Sequence, residues 1–383
     1  AADKYSTPDR PRWVAGSVGP TTKAISVTGG ITFEELVHNF EAQAEGLIDG
    51  GVDYFLVETC QDTRNIKAAI IGITQACDRK NVQIPIAVSG TIEAMGTMLA
   101  GQSVDSLATS VDHLDLLYLG LNCATGPEFM TDHIRTLANM SRFPVSCVPN
   151  AGLPDENGKY LESPEMVARV LRRFAESGWL NVVGGCCGTH AGHIEVMAKA
   201  VEGLKPHVPM IDGRSRLSGI DLVDVQESRP VIVGERTNVI GSKKFKELIV
   251  AEQYEEAAEI ARAQVKKGAH IIDVCLANPD RDENEDMRRF LERVVKKVRV
   301  PLMIDSTDHH VIEMALSYSQ GKAIINSVNL EDGLERFDHV VPLARRFGAA
   351  LVVGCIDEIG MAVTRDKKLE VAARSFDLLT QKY

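Results

Sequence analysis

The chain has 383 residues, with 53 Asp+Glu against 42 Lys+Arg and 10 His, for a formal net charge of −11. That acidic balance argues against a general binder of nucleic acid or anionic lipid, because no basic excess exists to neutralise phosphates. Apolar residues at 44% and charged residues at 25% fit a well-packed protein, and no apolar run approaches the ~18–20 residues of a membrane span.

At roughly 100–200 residues per domain, the length suggests two or three domains. The start, AADKYSTPDRPRW, has neither an apolar stretch nor an Arg-rich amphipathic pattern, so no targeting segment is expected. It also lacks an initiator Met, as an excised piece of a longer chain would. The eight cysteines, at 60, 77, 123, 147, 186, 187, 275 and 355, are spread thinly. That usage fits a reducing cytoplasm, where clustered cysteines more often mean metal or catalysis than disulfides.

Apolar runs predict strands at 13–19, 52–58, 84–90, 116–122, 144–150 and 179–185. Helical spacing fills the gaps between them. Over 164–177, Val167, Val170, Leu171 and Phe174 fall on one stripe, with Ser163 as N-cap, Pro164 as first residue and Gly178 as the stop. The stretch 203–230 has three prolines and three glycines without a sustained period, and reads as a partly ordered linker. Strand-like runs then resume at 231–235, 270–275, 301–305, 323–328 and 349–355, again separated by helices. One predicted helix spans 243–267, behind a Gly241-Ser242 turn. Another carries Leu334, Phe337, Val341 and Ala344 on one face.

Alternation of this kind implies parallel strands covered by helices. Glycine fingerprints for dinucleotides or a P-loop are absent. Polar residues instead collect at strand carboxyl ends: Glu58, Asn122, Asn150, Cys186, Glu235, Asp273, Asp305, Asn326 and Asp357. In a (β/α)8 barrel those ends share one mouth. The expected fold class is therefore α/β, with two adjacent (β/α)8 TIM-type barrels. The first would lack units at its start and the second units at its end. The expected domains are 1–202, a 203–230 linker and 231–383.

Cys123 ends a strand in GLNCATGP, and Cys186-Cys187 end another in VVGGCCGT. Three thiolates at one mouth would supply three zinc ligands and leave a fourth position open; three inert buried thiols read equally well from pattern alone. His190 and His193 fit the first turn of the following helix, in a capping or solvated role. His309 and His310 show no partner at metal spacing. In the second half, Glu235, Asn238, Asp305 and Asn326 offer one carboxylate–amide set suited to a neutral heterocycle such as a pterin. Capping of the following helices is the competing reading.

The strings VAGSVGPT, LVET, GLNCATGPEFM, PNAGLP and VVGGCCGT resemble the homocysteine barrel of the cobalamin-dependent methionine synthase family. VGERTNVIGS, IIDVC, PLMIDS, INSVN and DEIGMA resemble its methyltetrahydrofolate barrel. The resemblance covers essentially all of 12–383. It implies zinc on Cys123, Cys186 and Cys187, and homocysteine held through its ammonium by Glu58. It also implies a pterin site lined by Glu235, Asn238, Gly241, Ser242, Lys243, Asp305 and Asn326, with Asp305 and Asn326 promoting protonation of the folate N5. The implied reaction carries a methyl group from 5-methyltetrahydrofolate through cobalamin to homocysteine, giving methionine and tetrahydrofolate. The implied cofactors are Zn2+ and methylcobalamin, the latter bound by a domain or protein outside this chain. A related thiol methyltransferase with a separate corrinoid protein, or a fragment that only binds zinc or folate, are the alternatives.

Overall fold

The computed structural model describes residues 1–383. The chain divides into two units, Ala1–Gly213 and Arg214–Tyr383. In chain order the first contains α1 (Ala2–Tyr5), β1 (Ala15–Val18), α2 (Phe33–Asp49), β2 (Tyr54–Cys60), α3 (Thr63–Lys80), β3 (Ile86–Gly90) and α4 (Val104–Val111). β4 (Leu116–Asn122), a 3-10 turn at Pro127–Met130, α5 (Thr131–Met140), β5 (Val145–Val148), α6 (Pro164–Glu176), β6 (Val182–Val183) and α7 (Ala191–Val201) follow.

Strands β1 to β6 pair in that order, every neighbour parallel. Each lies within or close to its predicted apolar run, because strands covered on both faces read as continuous hydrophobic stretches. α6 shows how local signals set a helix. The Ser163 hydroxyl accepts from the Met166 N–H, Pro164 opens the first turn and Gly178 takes φ +72° just past the end. Val167, Val170, Leu171 and Phe174 are all buried. Gly120 permits the closest strand approach: a Cβ there would lie 1.8 Å from Ser146 Oγ and 2.3 Å from its carbonyl. Any larger residue would push β4 from β5, two residues before the strand end that carries Asn122 and Cys123.

The second unit begins with an antiparallel hairpin, β7 (Arg216–Ser218) and β8 (Leu222–Asp224), which lies inside the 203–230 stretch. Leu217 and Val223 bury against Ile271 and Ile324, so this part of the stretch is packed into the core. Next come β9 (Val233–Gly234), α8 (Lys243–Val250), α9 (Tyr254–Lys266), β10 (Ile271–Val274), α10 (Glu283–Val294), β11 (Leu302–Asp305), α11 (His309–Ser317), β12 (Ile324–Val328), α12 (Glu335–Phe347) and β13 (Ala350–Val353). The short pair β14 (Ile356–Asp357) and β15 (Gly360–Met361), then α13 (Arg365–Gln381), complete the unit.

β9 to β13 form a second parallel sheet in sequence order. The single helix expected over 243–267 is two, α8 and α9. The chain breaks at Glu252, whose φ of +56° no right-handed helix accommodates. Sequential parallel strands alternating with helices are consistent with TIM-type, barrel-like units in both halves. No helix is long and apolar enough to cross a membrane.

Candidate functional site

Three thiols meet at the carboxyl ends of β4 and β6. Cys123 Sγ lies 3.8 Å from Cys187 Sγ, Cys186 Sγ lies 3.9 Å from Cys187 Sγ, and all three fall within 4.8 Å of one another. All are free thiols. With Zn–S bonds of about 2.3 Å, the sulfurs of a tetrahedral zinc site sit roughly 3.8 Å apart, so the spacing fits a metal without rearrangement. The electrostatics point the same way. Burial, then the charges of Cys123 and Cys187, push the Cys186 thiol up to about 12; burial also raises Cys123. Three thiolates this close need a cation between them.

The backbone is shaped for this convergence. Cys123 and Ala124 both adopt left-handed conformations, φ +64° and +57°, which cost on the order of 1–3 kcal/mol each and turn the chain sharply at the strand end. Gly188, at φ +78°, lets Tyr160 pack against the turn after Cys187; a Cβ there would lie 2.2 Å from the ring. The Cys187 N–H donates to Asn150 Oδ1 at 3.0 Å, fixing the last thiol.

Asn122, 1% exposed, ties the cysteines to β2. Its Oδ1 accepts from the Thr59 N–H (3.0 Å) and Ser89 Oγ (2.7 Å). Its amide donates to Thr59 Oγ1 (2.7 Å) and faces Cys186 Sγ at 3.9 Å. Donation to sulfur favours the thiolate. Thr59 is the neighbour of Glu58, whose half-buried carboxylate accepts from Ser17 Oγ at 2.6 Å. Asn122, Asn150, Ser17 and Tyr160 are site residues that sequence reasoning missed; two of them were visible only as polar strand ends. His190 and His193 are helix-capping groups. His190 accepts from the Gly192 N–H, and His193 Nε2 bonds the Glu162 carbonyl.

The second unit gathers carboxyl and amide groups at the ends of β9 to β12. Asp305 and Asn326 are register partners on adjacent strands. One Asn238 amide group donates to Asp273 Oδ2 (3.1 Å) and Asp305 Oδ2 (3.3 Å), while its Oδ1 accepts from the Ile240 and Gly241 N–H groups. Ser242 caps α8, accepting from Phe245 N–H at 3.4 Å. Lys243, expected in the pterin set, points to solvent with its side chain 91% exposed, near Glu247. Glu235 is exposed and acts on the cluster through its charge.

Asp273 is the residue whose weight the sequence understated. It is 3% exposed, and its Oδ1 has no hydrogen-bond partner, although Asn326 lies close enough to draw its titration down. Burial, reinforced by Asp305 and Glu235, pushes its carboxyl up to about 6. Asp305 is raised too, mainly by burial.

A raised acid binds more protons folded than unfolded, so stability falls as pH rises from the ordinary 3.8 through about 6. The penalty above that window is about 3 kcal/mol at most. Asp273→Asn is expected to flatten the decline in urea midpoint between about pH 4 and pH 7; an unchanged slope would show that Asp273 holds no proton there.

His309 and His310 do have a partner at metal spacing, contrary to the sequence reading. Asp308, immediately before them, offers a carboxylate oxygen within 4.8 Å of both imidazoles.

Parallel strands taken in chain order, with reactive side chains at their carboxyl ends, define α/β units of TIM-barrel-like class. Residues 1–201 match the homocysteine S-methyltransferase family, and the chain belongs to that family. Residues 234–382 match the pterin binding enzymes. Among solved structures, the apo homocysteine methyltransferase MmuM from Escherichia coli is 22% identical, with a TM-score of 0.37 over 50% of this chain and 63% of that one. Its metallated form is 20% identical, with a TM-score of 0.38 over 49% and 61%. An isomerase from Streptomyces coelicolor A3(2) is 15% identical, with a TM-score of 0.30 over 54% and 58%. The chain thus spans less than two thirds of the length of these structures.

Proposed function

We propose that this chain carries the two substrate modules of a methionine synthase-type methyltransferase. A methyl group would pass from 5-methyltetrahydrofolate, by way of a cobalamin held outside these residues, to the thiol of homocysteine, giving methionine and tetrahydrofolate. The observation that carries this reading is the spacing of Cys123, Cys186 and Cys187 in a chain of the homocysteine S-methyltransferase family.

Those three cysteines would hold zinc, with Asn122 donating toward Cys186 and Asn150 fixing Cys187. When bound, zinc supplies the Lewis acidity that keeps a fourth, substrate thiol ionised at neutral pH, where a free thiol of pKa near 8.5 is mostly protonated. Glu58, whose carboxylate accepts from Ser17 Oγ, would accept from the substrate ammonium. In the second unit, Asn238, Asp273, Asp305 and Asn326 alternate donors and acceptors as a pterin edge requires. Asp273 Oδ1, buried beside Asn326, would accept from a ring or amino N–H. Asp305, raised by burial, is suited to hold a proton for the folate N5, a poor leaving group until protonated. Gly241 and Ser242 form the turn beside this set.

The test separates the two modules. Zinc-loaded chain is expected to demethylate free methylcobalamin only when homocysteine is present, and to methylate reduced cobalamin only when 5-methyltetrahydrofolate is present, both followed by corrinoid absorbance. A chain that binds zinc and folate yet shows neither reaction would contradict the proposal.

A further inference from the structure

A second cluster of metal-ligating side chains lies at the start of α11, in the second unit. Asp308, His309 and His310 each bring one donor atom within 4.8 Å of the others. A fourth residue comes from a different helix: the His339 ring of α12 stacks on His309 at 4.4 Å between centroids, 14° from parallel. The His309 and His310 rings are 4.1 Å apart.

The loop is held in this shape before any ligand arrives. Asp308 Oδ1 accepts from the His310 N–H at 2.8 Å, which fixes the carboxylate plane. The Asp308 N–H donates to Ser306 Oγ at 3.1 Å. Arg336, one helical turn before His339, donates to the carbonyls of Ser306 (2.7 Å), Thr307 (2.5 Å) and Ser327 (3.1 Å). A single guidanidinium therefore locks the 306–308 loop to α12 and brings His339 over His309. Asp308 and His310 are exposed, so an ion reaches them from solvent.

We propose that Asp308, His309 and His310 form a transition-metal site distinct from the three cysteines, with His339 orienting the His309 ring. Two imidazoles and one carboxylate select borderline ions such as Zn2+, Co2+ or Ni2+ over Mg2+ and Ca2+, which prefer all-oxygen sets. Three protein donors leave positions for water or an added ligand. The nearby Arg336 charge opposes a cation, so this site fills after the thiolate site. The inference rests on the α11–α12 geometry alone and is independent of the methyltransferase reading.

Cobalt titration of the tag-free full chain under reducing conditions tests it, because thiolate–cobalt bonds give an ultraviolet charge-transfer band that nitrogen and oxygen donors lack. The expected result is two equivalents bound, the first with the thiolate band and the second without it. His309→Gln/His310→Gln should lose the second equivalent and keep the band; Cys186→Ser should weaken the first and keep the second. Circular dichroism checks the fold of each variant. If the double variant misfolds, His310→Gln alone, at an exposed position, should weaken the second equivalent at least tenfold (loss of a supporting group alone costs about 10–100-fold). A wild-type chain whose only bound cobalt shows the thiolate band, or band-free cobalt binding that survives the histidine substitutions, overturns the proposal.

Discussion

Cys186→Ser is expected to lower zinc affinity by more than about a hundredfold. Zinc in sites built from four protein ligands is held by roughly 10–16 kcal/mol, so one thiolate accounts for about 3 kcal/mol. The serine hydroxyl stays protonated near neutral pH and cannot replace it. Asn122 would lose the sulfur it faces while keeping its bonds to Thr59 and Ser89, so the fold should persist. Cys77→Ser is the control: that thiol lies on α3 and belongs to no cluster of metal-binding spacing. A competition titration against a chromophoric chelator reads both variants. Equal zinc affinity in Cys186→Ser and wild type would remove the cysteines from the metal site.

Asp305→Asn is expected to slow methyl transfer from 5-methyltetrahydrofolate by about 10²–10⁴-fold, the usual contribution of a positioned general acid. It should leave homocysteine-dependent demethylation of methylcobalamin intact, because Glu58 and the cysteines lie in the other unit. Asparagine keeps the shape and the Asn238 contact but cannot deliver a proton. The loss should therefore appear in kcat more than in KM. Burial raises the Asp305 carboxyl, so the protonated form persists to higher pH than for a solvated aspartate. The wild-type folate reaction should accordingly rise toward acid and the variant's should be flat. Equal loss in both half-reactions would mean that Asp305 acts through the fold.

Much of this architecture was legible because parallel strands covered on both faces leave uninterrupted apolar runs, and each of the eleven predicted runs overlaps a strand of the two sheets. The cysteine cluster was legible for a related reason: Gly185 before Cys186 and Gly188 after Cys187 mark bare backbone against which the Thr189 and Tyr160 side chains pack. What escaped was set through space. Asn122 bonds residues 31 to 64 positions away, and His339 meets His309 from another helix. The break between α8 and α9 turns on the left-handed conformation of Glu252, an ordinary helix former with nothing in its identity to announce it. Lys243, placed in the pterin set by the resemblance, begins α8 with its side chain exposed, a direction that the sequence does not announce. The hairpin at 216–224 was invisible to periodicity because its strands are three residues each.

The most direct test of the central claim is the response of the cobalt-loaded thiolate site to homocysteine. If the three cysteines hold a metal that leaves a position for the substrate sulfur, adding homocysteine should strengthen the thiolate-to-cobalt band by about a third and release a proton, and methionine should do neither. A spectrum unchanged by saturating homocysteine would contradict it.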